Sequence, residues 1–176
     1  NKIIEYFKNE LNGRGLVLAA DSSTLAPALY DADINFVVPR IDEPNYLETI
    51  LSICKEHKVK AVLSLIDPEL SILAKHQDDF MKVGTTPIVS DYEVVELCFN
   101  KYEMYNFLVD NNIPTVLSYI DKQEFYRDLD TGKINFPVFV KPVKGSASIN
   151  INKVNTKEEI ELLFNRYDNL IIQEYM

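Results

Sequence analysis

Short apolar runs alternate with amphipathic segments along the first half of the chain. Apolar residues recur at helical spacing over residues 2–12, which predicts an opening amphipathic helix. Runs typical of buried strands occupy residues 16–20, 35–38, 60–66 and 86–89. Helices are predicted between them at residues 24–29, from 44 onwards, and from 67 through 80. This alternation predicts an α/β fold with a doubly wound parallel sheet and helices on both of its faces.

The order of elements suggests where this first domain starts and stops. A sheet of this kind normally opens on a strand, whereas the sequence opens on the helix at residues 2–12. We therefore expect the first strand, and any glycine-rich loop that follows it, to be missing from the sequence. The domain boundary is placed near residues 90–92, which gives domains at 1–91 and 92–176.

The second half shows a different pattern of predicted elements, in which consecutive strands pair with each other and polar side chains cap the helices. Ser90, Asp91 and Glu93 open one helical segment that is predicted to run through Asn100 and past Lys101. Predicted strands follow at residues 115–119, 136–140, 149–154 and 170–176. Helices are predicted from the caps at Asp121 and Thr156. This order predicts an α+β layer with helices on one face of an antiparallel sheet.

A cation and a small-residue loop follow the apolar strand at residues 136–140. Lys141 stands at the end of that strand, and Pro142 stops it. Small residues follow, at Gly145, Ser146, Ala147 and Ser148, and they leave room for the oxygens of a ligand. The loop is therefore either a phosphate cradle or a polar hairpin loop between two strands.

The order of these segments resembles the ATP-grasp superfamily, in particular ligases similar to the large subunit of carbamoyl-phosphate synthase. The resemblance is carried by Lys101 in FNKYEMYNFL, Lys141 in FPVFVKP and the IIQEYM segment at the end of the chain. It implies a Rossmann-like pre-ATP-grasp domain at residues 1–91 and the N-terminal lobe of the ATP-grasp domain at residues 92–176. The loop is poorer in glycine than that of many family members.

The resemblance also assigns roles to residues. It implies that Lys101 and Lys141 contact the phosphates of ATP, with the loop from Lys144 through Gly145 to Asn150 closing over them. The hinge residues that would meet the adenine are Gln173, Glu174, Tyr175 and Met176. Backbone groups of a strand can pair with the edge of the adenine, which fits this last segment, although an ordinary edge strand would show the same alternation.

Members of the family use ATP and Mg²⁺ to activate a carboxylate or bicarbonate as an acyl-phosphate for attack by an amine or ammonia. The resemblance implies a small-molecule substrate of this kind, and it leaves open whether the protein forms a homodimer. In the family, the magnesium ligands and an arginine near the transferred phosphate come from a C-terminal lobe that follows the hinge. We expect this sequence to lack that lobe, to contain no catalytic or metal-binding residue, to bind nucleotide weakly or not at all, and not to turn over.

Charge and cysteine content narrow the classes of partner. The formal net charge is −9 and the pI is near 4.7, which argues against nucleic acid or an anionic membrane as a partner. No apolar run approaches the length of a membrane span and no secretory signal opens the sequence, so a cytoplasmic protein is expected.

Cys54 and Cys98 fall on apolar helical segments and are predicted to be reduced core thiols. His57 and His76 come late in predicted helices, where a cation suits the C-terminus.

Three acidic residues support a competing interpretation. Asp21, Asp67 and Glu69 follow predicted strands, where ligands of α/β sheets bind, although each also suits a helix start. They could serve a non-catalytic nucleotide or small-ligand binding module of Rossmann-like type. An interaction protein with an acidic docking surface is a third class, while the absence of a Gly-x-Gly-x-x-Gly run argues against a dinucleotide oxidoreductase.

Overall fold

The computed structural model of the chain describes residues 2–145 and 150–176. Its residues divide into two compact units. The first comprises Asn1–Val62 with His76–Ile88, and the second comprises Leu63–Lys75 with Val89–Met176. The predicted boundary near residue 91 stays a prediction.

Short helices and strands make up both units. Up to residue 87 the elements are α1 (Lys2–Leu11), β1 (Leu18–Asp21), α2 (Pro27–Asp31), β2 (Ile34–Val37), α3 (Tyr46–Glu56), β3 (Ala61–Val62), α4 (Asp67–Lys75), α5 (Gln77–Lys82) and β4 (Thr86–Pro87). They continue with α6 (Tyr92–Phe99), α7 (Lys101–Asp110), β5 (Ser118–Tyr119), α8 (Lys122–Asp130), β6 (Val138–Pro142), β7 (Asn152–Val154), α9 (Lys157–Arg166) and β8 (Leu170–Glu174). The mixed α/β class is confirmed.

The strands of the first unit pair in parallel, as connections through helices require. β1 pairs with β2, and β3 pairs with β4. Within the described residues these are two separate two-stranded sheets, so the single doubly wound sheet is not seen there. The strand predicted over residues 60–66 is reduced to Ala61–Val62, and Leu65 and Ile66 beyond it are exposed.

The second unit contains a four-stranded sheet in the order β5-β8-β6-β7, and each of its pairings is antiparallel. β8 therefore lies between β5 and β6, so the interpretation of residues 170–176 as an edge strand is wrong. β6 and β7 form the predicted hairpin, although β7 is shorter than predicted and begins at Asn152. Residues 146–149 lie outside the described ranges.

The two faces of this sheet have different roles. Val138 and Val140 of β6 turn to a fully buried core, which Phe125 of α8 and Ile160 of α9 complete. Because side chains alternate along a strand, Phe139 and Lys141 point to the opposite face. The core face thus fixes which way Lys141 projects.

Two predicted helices are broken where the apolar pattern continues without interruption. The segment predicted to pass through Asn100 is two helices, α6 and α7, because the Asn100 side chain accepts hydrogen bonds from the backbone N–H groups of Tyr102 and Glu103. The helix predicted to reach Phe80 ends at Lys75, and α5 begins after His76. Such breaks are set by caps, which apolar spacing does not reveal.

The prediction of two core thiols holds for one cysteine and is wrong for the other. Cys54 is buried in α3, whereas Cys98 is exposed on α6. No helix in the described ranges has the length and apolar character needed to cross a membrane.

Ile160 and Leu162 on α9 allow a matched test of the core face. Ile160 is 0% exposed and Leu162 is 68% exposed. Ile160→Ala should lower the free energy of unfolding by about 2–5 kcal/mol, because it leaves a cavity in the core. Leu162→Ala should change it by less than about 0.5 kcal/mol. Urea unfolding followed by the amide signals of β6 and β8 measures both, and equal effects would contradict the assignment of the core face.

Candidate phosphate-binding site

Lys141 is a half-buried cation on the face of the four-stranded sheet opposite Val138 and Val140. It pairs across the strands with Ile171, which is fully buried. Burial lowers the pKa of the Lys141 ammonium. Among the residues that the structure describes, no hydrogen-bond acceptor or carboxylate lies within bonding distance of that ammonium. An ammonium in such a place favours an anionic ligand.

Lys101 reaches the same region from the start of α7. Its backbone N–H donates to the Val143 carbonyl at 3.0 Å, and its ammonium donates to the carbonyl oxygens of Gly145 at 3.0 Å and Val143 at 3.4 Å. Burial lowers the pKa of Lys101 first, the charge of Lys141 lowers it further, and Asp67 acts in the opposite direction. The two ammonium groups therefore interact electrostatically, although forty residues separate them in the sequence.

The N-terminus of α7 lies at Lys101, but two of its backbone N–H groups already have partners. The first free N–H groups of a helix can bind a phosphate. In α7 the N–H groups of Tyr102 and Glu103 already donate to the Asn100 side chain. The partial positive charge of the helix end remains next to Lys101, but these two donors are occupied.

Lys144, which begins the loop predicted to close over the phosphates, forms an ion pair within the chain. Its ammonium lies 2.7 Å from a carboxylate oxygen of Glu96 and 5.6 Å from the centre of the Phe99 ring. Its backbone forms an isolated antiparallel bridge with Asn100. Gly145, which follows it, has a φ of +150° and accepts the hydrogen bond from Lys101. The other predicted loop residues, Ser146, Ala147 and Ser148, lie outside the described residues.

Two of the predicted hinge residues form side-chain hydrogen bonds with the neighbouring β5 region. The Gln173 side chain donates to the Ser118 hydroxyl at 2.9 Å. A Glu174 carboxylate oxygen accepts from the Leu117 N–H at 3.2 Å. Met176 is 91% exposed. The backbone and side-chain contacts of Glu174 thus hold β8 against the β5 side of the sheet.

An aromatic surface lies on the same face as Lys141. The rings of Phe139 and Tyr175 are 5.0 Å apart, and the Lys153 ammonium lies 4.2 Å from the centre of the Tyr175 ring. Register places Phe139 opposite Gln173 and Lys153. Phe139 and Lys153 were not among the predicted site residues, although the alternation of side chains along the strand places Phe139 on the same face as Lys141.

The three acidic residues of the competing interpretation fall in different places. Asp21 ends β1 in the first unit, where its carboxylate accepts from the Ser23 N–H at 2.8 Å. Asp67 begins α4 in the second unit and lies within electrostatic range of Lys101. Glu69 accepts a hydrogen bond from the buried Ser64 hydroxyl. Asp21 thus belongs to the first unit, and Asp67 and Glu69 belong to the second.

The described parts of the chain contain no group of three or more His, Cys, Asp or Glu side chains arranged to hold a metal ion. Two carboxylates interact with these lysines: Glu96 pairs with Lys144, and the charge of Asp67 raises the pKa of Lys101. The groups that the described site offers to an anion are the ammonium groups of Lys101 and Lys141, and ammonium groups suit phosphate oxygens.

Comparison with known proteins gives relatives for both halves of the chain. The D-alanine–D-alanine ligase of Flavobacterium johnsoniae is 29% identical over 103 residues, which is 55% of this chain and 32% of that protein. The biotin carboxylase domain of Hydrogenobacter thermophilus 2-oxoglutarate carboxylase, solved with MgADP, ADP and bicarbonate, superposes with a TM-score of 0.72 and 19% identity. The L-amino acid ligase of Bacillus licheniformis gives a TM-score of 0.69 and 16% identity.

These structural matches cover 99% of this chain and 42% and 41% of the two neighbours, so the chain spans well under half of their length. Both neighbours show the fold of ATP-grasp enzymes. Residues 1–88 match the sequence model of a family described as "PylC-like, N-terminal domain". With half of its residues in that match, the chain belongs to the PylC-like N-terminal domain family, and it has the fold of ATP-grasp enzymes.

Proposed function

We propose that the chain provides the phosphate-binding part of an ATP-grasp ligase. The ligase would activate a carboxylate or bicarbonate as an acyl-phosphate for attack by an amine or ammonia. The observation that carries the proposal is the half-buried Lys141 ammonium, which has no partner within the described residues and lies in electrostatic range of Lys101. Such an arrangement costs folding free energy, and a polyanion would offset that cost.

The residues present fit the triphosphate of ATP. Lys101 and Lys141 would bind phosphate oxygens from two sides, one from a helix start and one from a strand end. ATP would supply the phosphoryl group, and Mg²⁺ would offset part of its charge. The part of this chain in such a reaction is to position the phosphates and to stabilise negative charge, which is the main contribution of proteins to phosphoryl transfer.

The base of the nucleotide would lie on the same sheet face. Phe139 and Tyr175 offer an apolar surface for a purine, and the strand end from Gln173 to Met176 offers backbone groups for its edge. The Glu174 carboxylate, already bonded to the Leu117 N–H, would act by holding the strand in place. We retain Gln173, Tyr175 and Met176 as proposed contacts to the base.

Finer aspects of the reaction are also part of the proposal. Bicarbonate as one phosphoryl acceptor draws support from the Hydrogenobacter domain, whose structure contains bicarbonate. The likeness to the large subunit of carbamoyl-phosphate synthase stays a prediction. That domain is described as a dimer, which supports a homodimer as the assembly to test. A cytoplasmic location stays a prediction.

We further propose that the 176-residue chain binds nucleotide weakly and does not complete the reaction. The matched share of its neighbours, 42% and 41%, supports this, because most of each neighbour lies outside the match. ATP hydrolysis by the purified chain above the background rate would contradict this part of the proposal.

Lys141→Met tests the phosphate site directly. The substitution keeps most of the unbranched side chain, which becomes one atom shorter, and removes its charge. We expect millimolar ATP to shift the amide signals of Lys141 and of residues 143–145 in the native chain. Lys141→Met should weaken binding about tenfold to a hundredfold, as expected for one lost charge-assisted contact of about 1.5–3 kcal/mol. Titration by two-dimensional NMR measures the dissociation constants.

The matched control is Lys55→Met, which removes one exposed positive charge from α3 in the first unit. It should leave ATP binding within about twofold of the native value, because it lies outside the proposed site. Equal losses in the two variants would mean that only net charge matters, and no loss in Lys141→Met would contradict the site. ATP-induced shifts confined to residues 64–69 would instead support the non-catalytic binding module.

The ionisation of the lysines gives a second test. The pKa of Lys141 should lie below the ordinary value of 10.5, because burial disfavours its charged form. The pKa of Lys133 should lie above 10.5, because its ammonium donates to Asp128. Titration of the lysine ¹³Cε signals measures both in one sample, and the opposite order would contradict the desolvation of Lys141.

The sign of the pH dependence follows from the lowered pKa of Lys141. Between its native pKa and 10.5 the folded chain binds fewer protons than the unfolded chain, so the Lys141 contribution to stability rises with pH in that interval. ATP affinity should change in the opposite direction, because only the charged ammonium attracts phosphate.

A further inference from the structure

A short backbone segment brings Lys144 next to the two lysines of the proposed phosphate site. The Val143 carbonyl accepts from the Lys101 N–H at 3.0 Å, and Lys144 forms a β-bridge with Asn100. The carbonyl of Gly145, the next residue, accepts from the Lys101 ammonium at 3.0 Å. The backbone at Lys144 is therefore fixed beside the ammonium of Lys101.

The side chain of Lys144 is turned to an internal carboxylate. Its ammonium lies 2.7 Å from Glu96 on α6, and the Phe99 ring one turn along covers it at 5.6 Å. Lys144 is the first cause of a lowered pKa at Glu96, and the Ser71 side chain and the charge of Lys75 add to it. As an ion pair the two side chains carry no net charge, so in this state Lys144 adds little attraction for a phosphate.

The pair is built in a way that allows exchange. The two side chains are 47% and 26% exposed, and ion pairs with that degree of exposure contribute little to stability. The backbone bridge to Asn100 does not involve the Lys144 ammonium, so the ammonium could leave Glu96 while the backbone stays in place. A polyphosphate carries several negative charges, and Glu96 carries one.

We propose that Glu96 is an internal competitor of the nucleotide, whose carboxylate holds Lys144 in the free protein and is replaced by a phosphate oxygen in the nucleotide complex. This inference rests on the proposed phosphate site. The inference assigns to Glu96 a role in setting nucleotide affinity. Glu96 lies on α6, a helix that carries none of the predicted nucleotide ligands. The inference also gives Lys144 two successive partners.

Glu96→Gln tests the competition, because the amide keeps the shape of the carboxylate and loses its charge. Binding of ATP, and separately of inorganic tripolyphosphate, should tighten about two- to fivefold, which is the range expected when an exposed ion pair no longer has to be broken. In a Lys144→Met background the same substitution should have little effect on affinity. Amide shift titrations up to millimolar ligand measure all four proteins.

The matched control is Glu93→Gln, which removes the same charge one turn earlier on α6. Glu93 is exposed, so its substitution should leave affinity unchanged apart from a small long-range effect. Equal tightening by Glu93→Gln and Glu96→Gln would reduce the effect to net charge and overturn the proposal. Weaker binding by Glu96→Gln would also overturn it, since Glu96 would then position Lys144 for the nucleotide.

A readout in the native chain does not depend on any substitution. When ATP takes Lys144 away, the pKa of Glu96 should rise towards its ordinary value, because its main stabilising partner is gone. Titration of the Glu96 ¹³Cδ signal with and without saturating ATP measures the change, and an unchanged pKa would overturn the exchange.

These outcomes separate the two proposals. If ATP binds and Lys141→Met weakens it, while Glu96→Gln does not tighten it, the phosphate site stands and the competition is wrong. If neither the native chain nor Glu96→Gln binds ATP or tripolyphosphate at millimolar concentration, both proposals are wrong.

Discussion

The alternation of side chains along β6 is the constraint on which the site depends. Val138 and Val140 are fully buried in the core under α8 and α9. A register shift by one residue would move them out of that core and would cost much of the stability of the unit. The packing that holds the valines in the core therefore also holds the side chain of Lys141 on the opposite face of the sheet. Its partial burial disfavours its charge, and no described residue compensates for that cost.

The three lysines of the proposed site are in three different states. Lys141 is half-buried without a partner, Lys101 donates to two backbone carbonyls, and Lys144 is paired with a carboxylate. These states imply different costs of recruiting each lysine to a phosphate. Lys141 would lose no hydrogen bond or ion pair to a described residue on binding phosphate. Lys101 would replace hydrogen bonds to neutral carbonyl oxygens with bonds to charged phosphate oxygens, and Lys144 would first have to break its ion pair with Glu96. The order in which a nucleotide engages them should follow those costs.

Local signals in the sequence predicted much of the second unit. The caps at Asp121 and Thr156 are confirmed, because a short polar side chain at a helix start bonds to groups two or three residues away. The hairpin partners β6 and β7 follow from the loop between them. The break at Asn100 was missed because apolar residues continue on both sides of it, and a mid-segment asparagine is a cap only if the chain turns there. The exposure of Cys98 depends on how α6 packs, which spacing alone does not give.

Contacts between residues far apart in the sequence could not be predicted from local sequence patterns. Lys144 and Glu96 are 48 residues apart, and Lys101 and Gly145 are 44 apart, so no local pattern links them. The placement of Lys101 near Lys141 was expected from family resemblance and not from residue spacing. The membership of the chain in the PylC-like family and the fold of ATP-grasp enzymes agree with that expectation. The grouping of the proposed site residues thus depends on how the chain folds, whereas the capped helices could be predicted from local sequence patterns.

The central claim is that Lys101 and Lys141 bind one polyphosphate together. A crystal structure of the chain with a non-hydrolysable ATP analogue measures this most directly. The account predicts both ammonium nitrogens within about 3 Å of phosphate oxygens of the same nucleotide. A nucleotide bound elsewhere, with the Lys141 ammonium in contact with solvent alone, would contradict it.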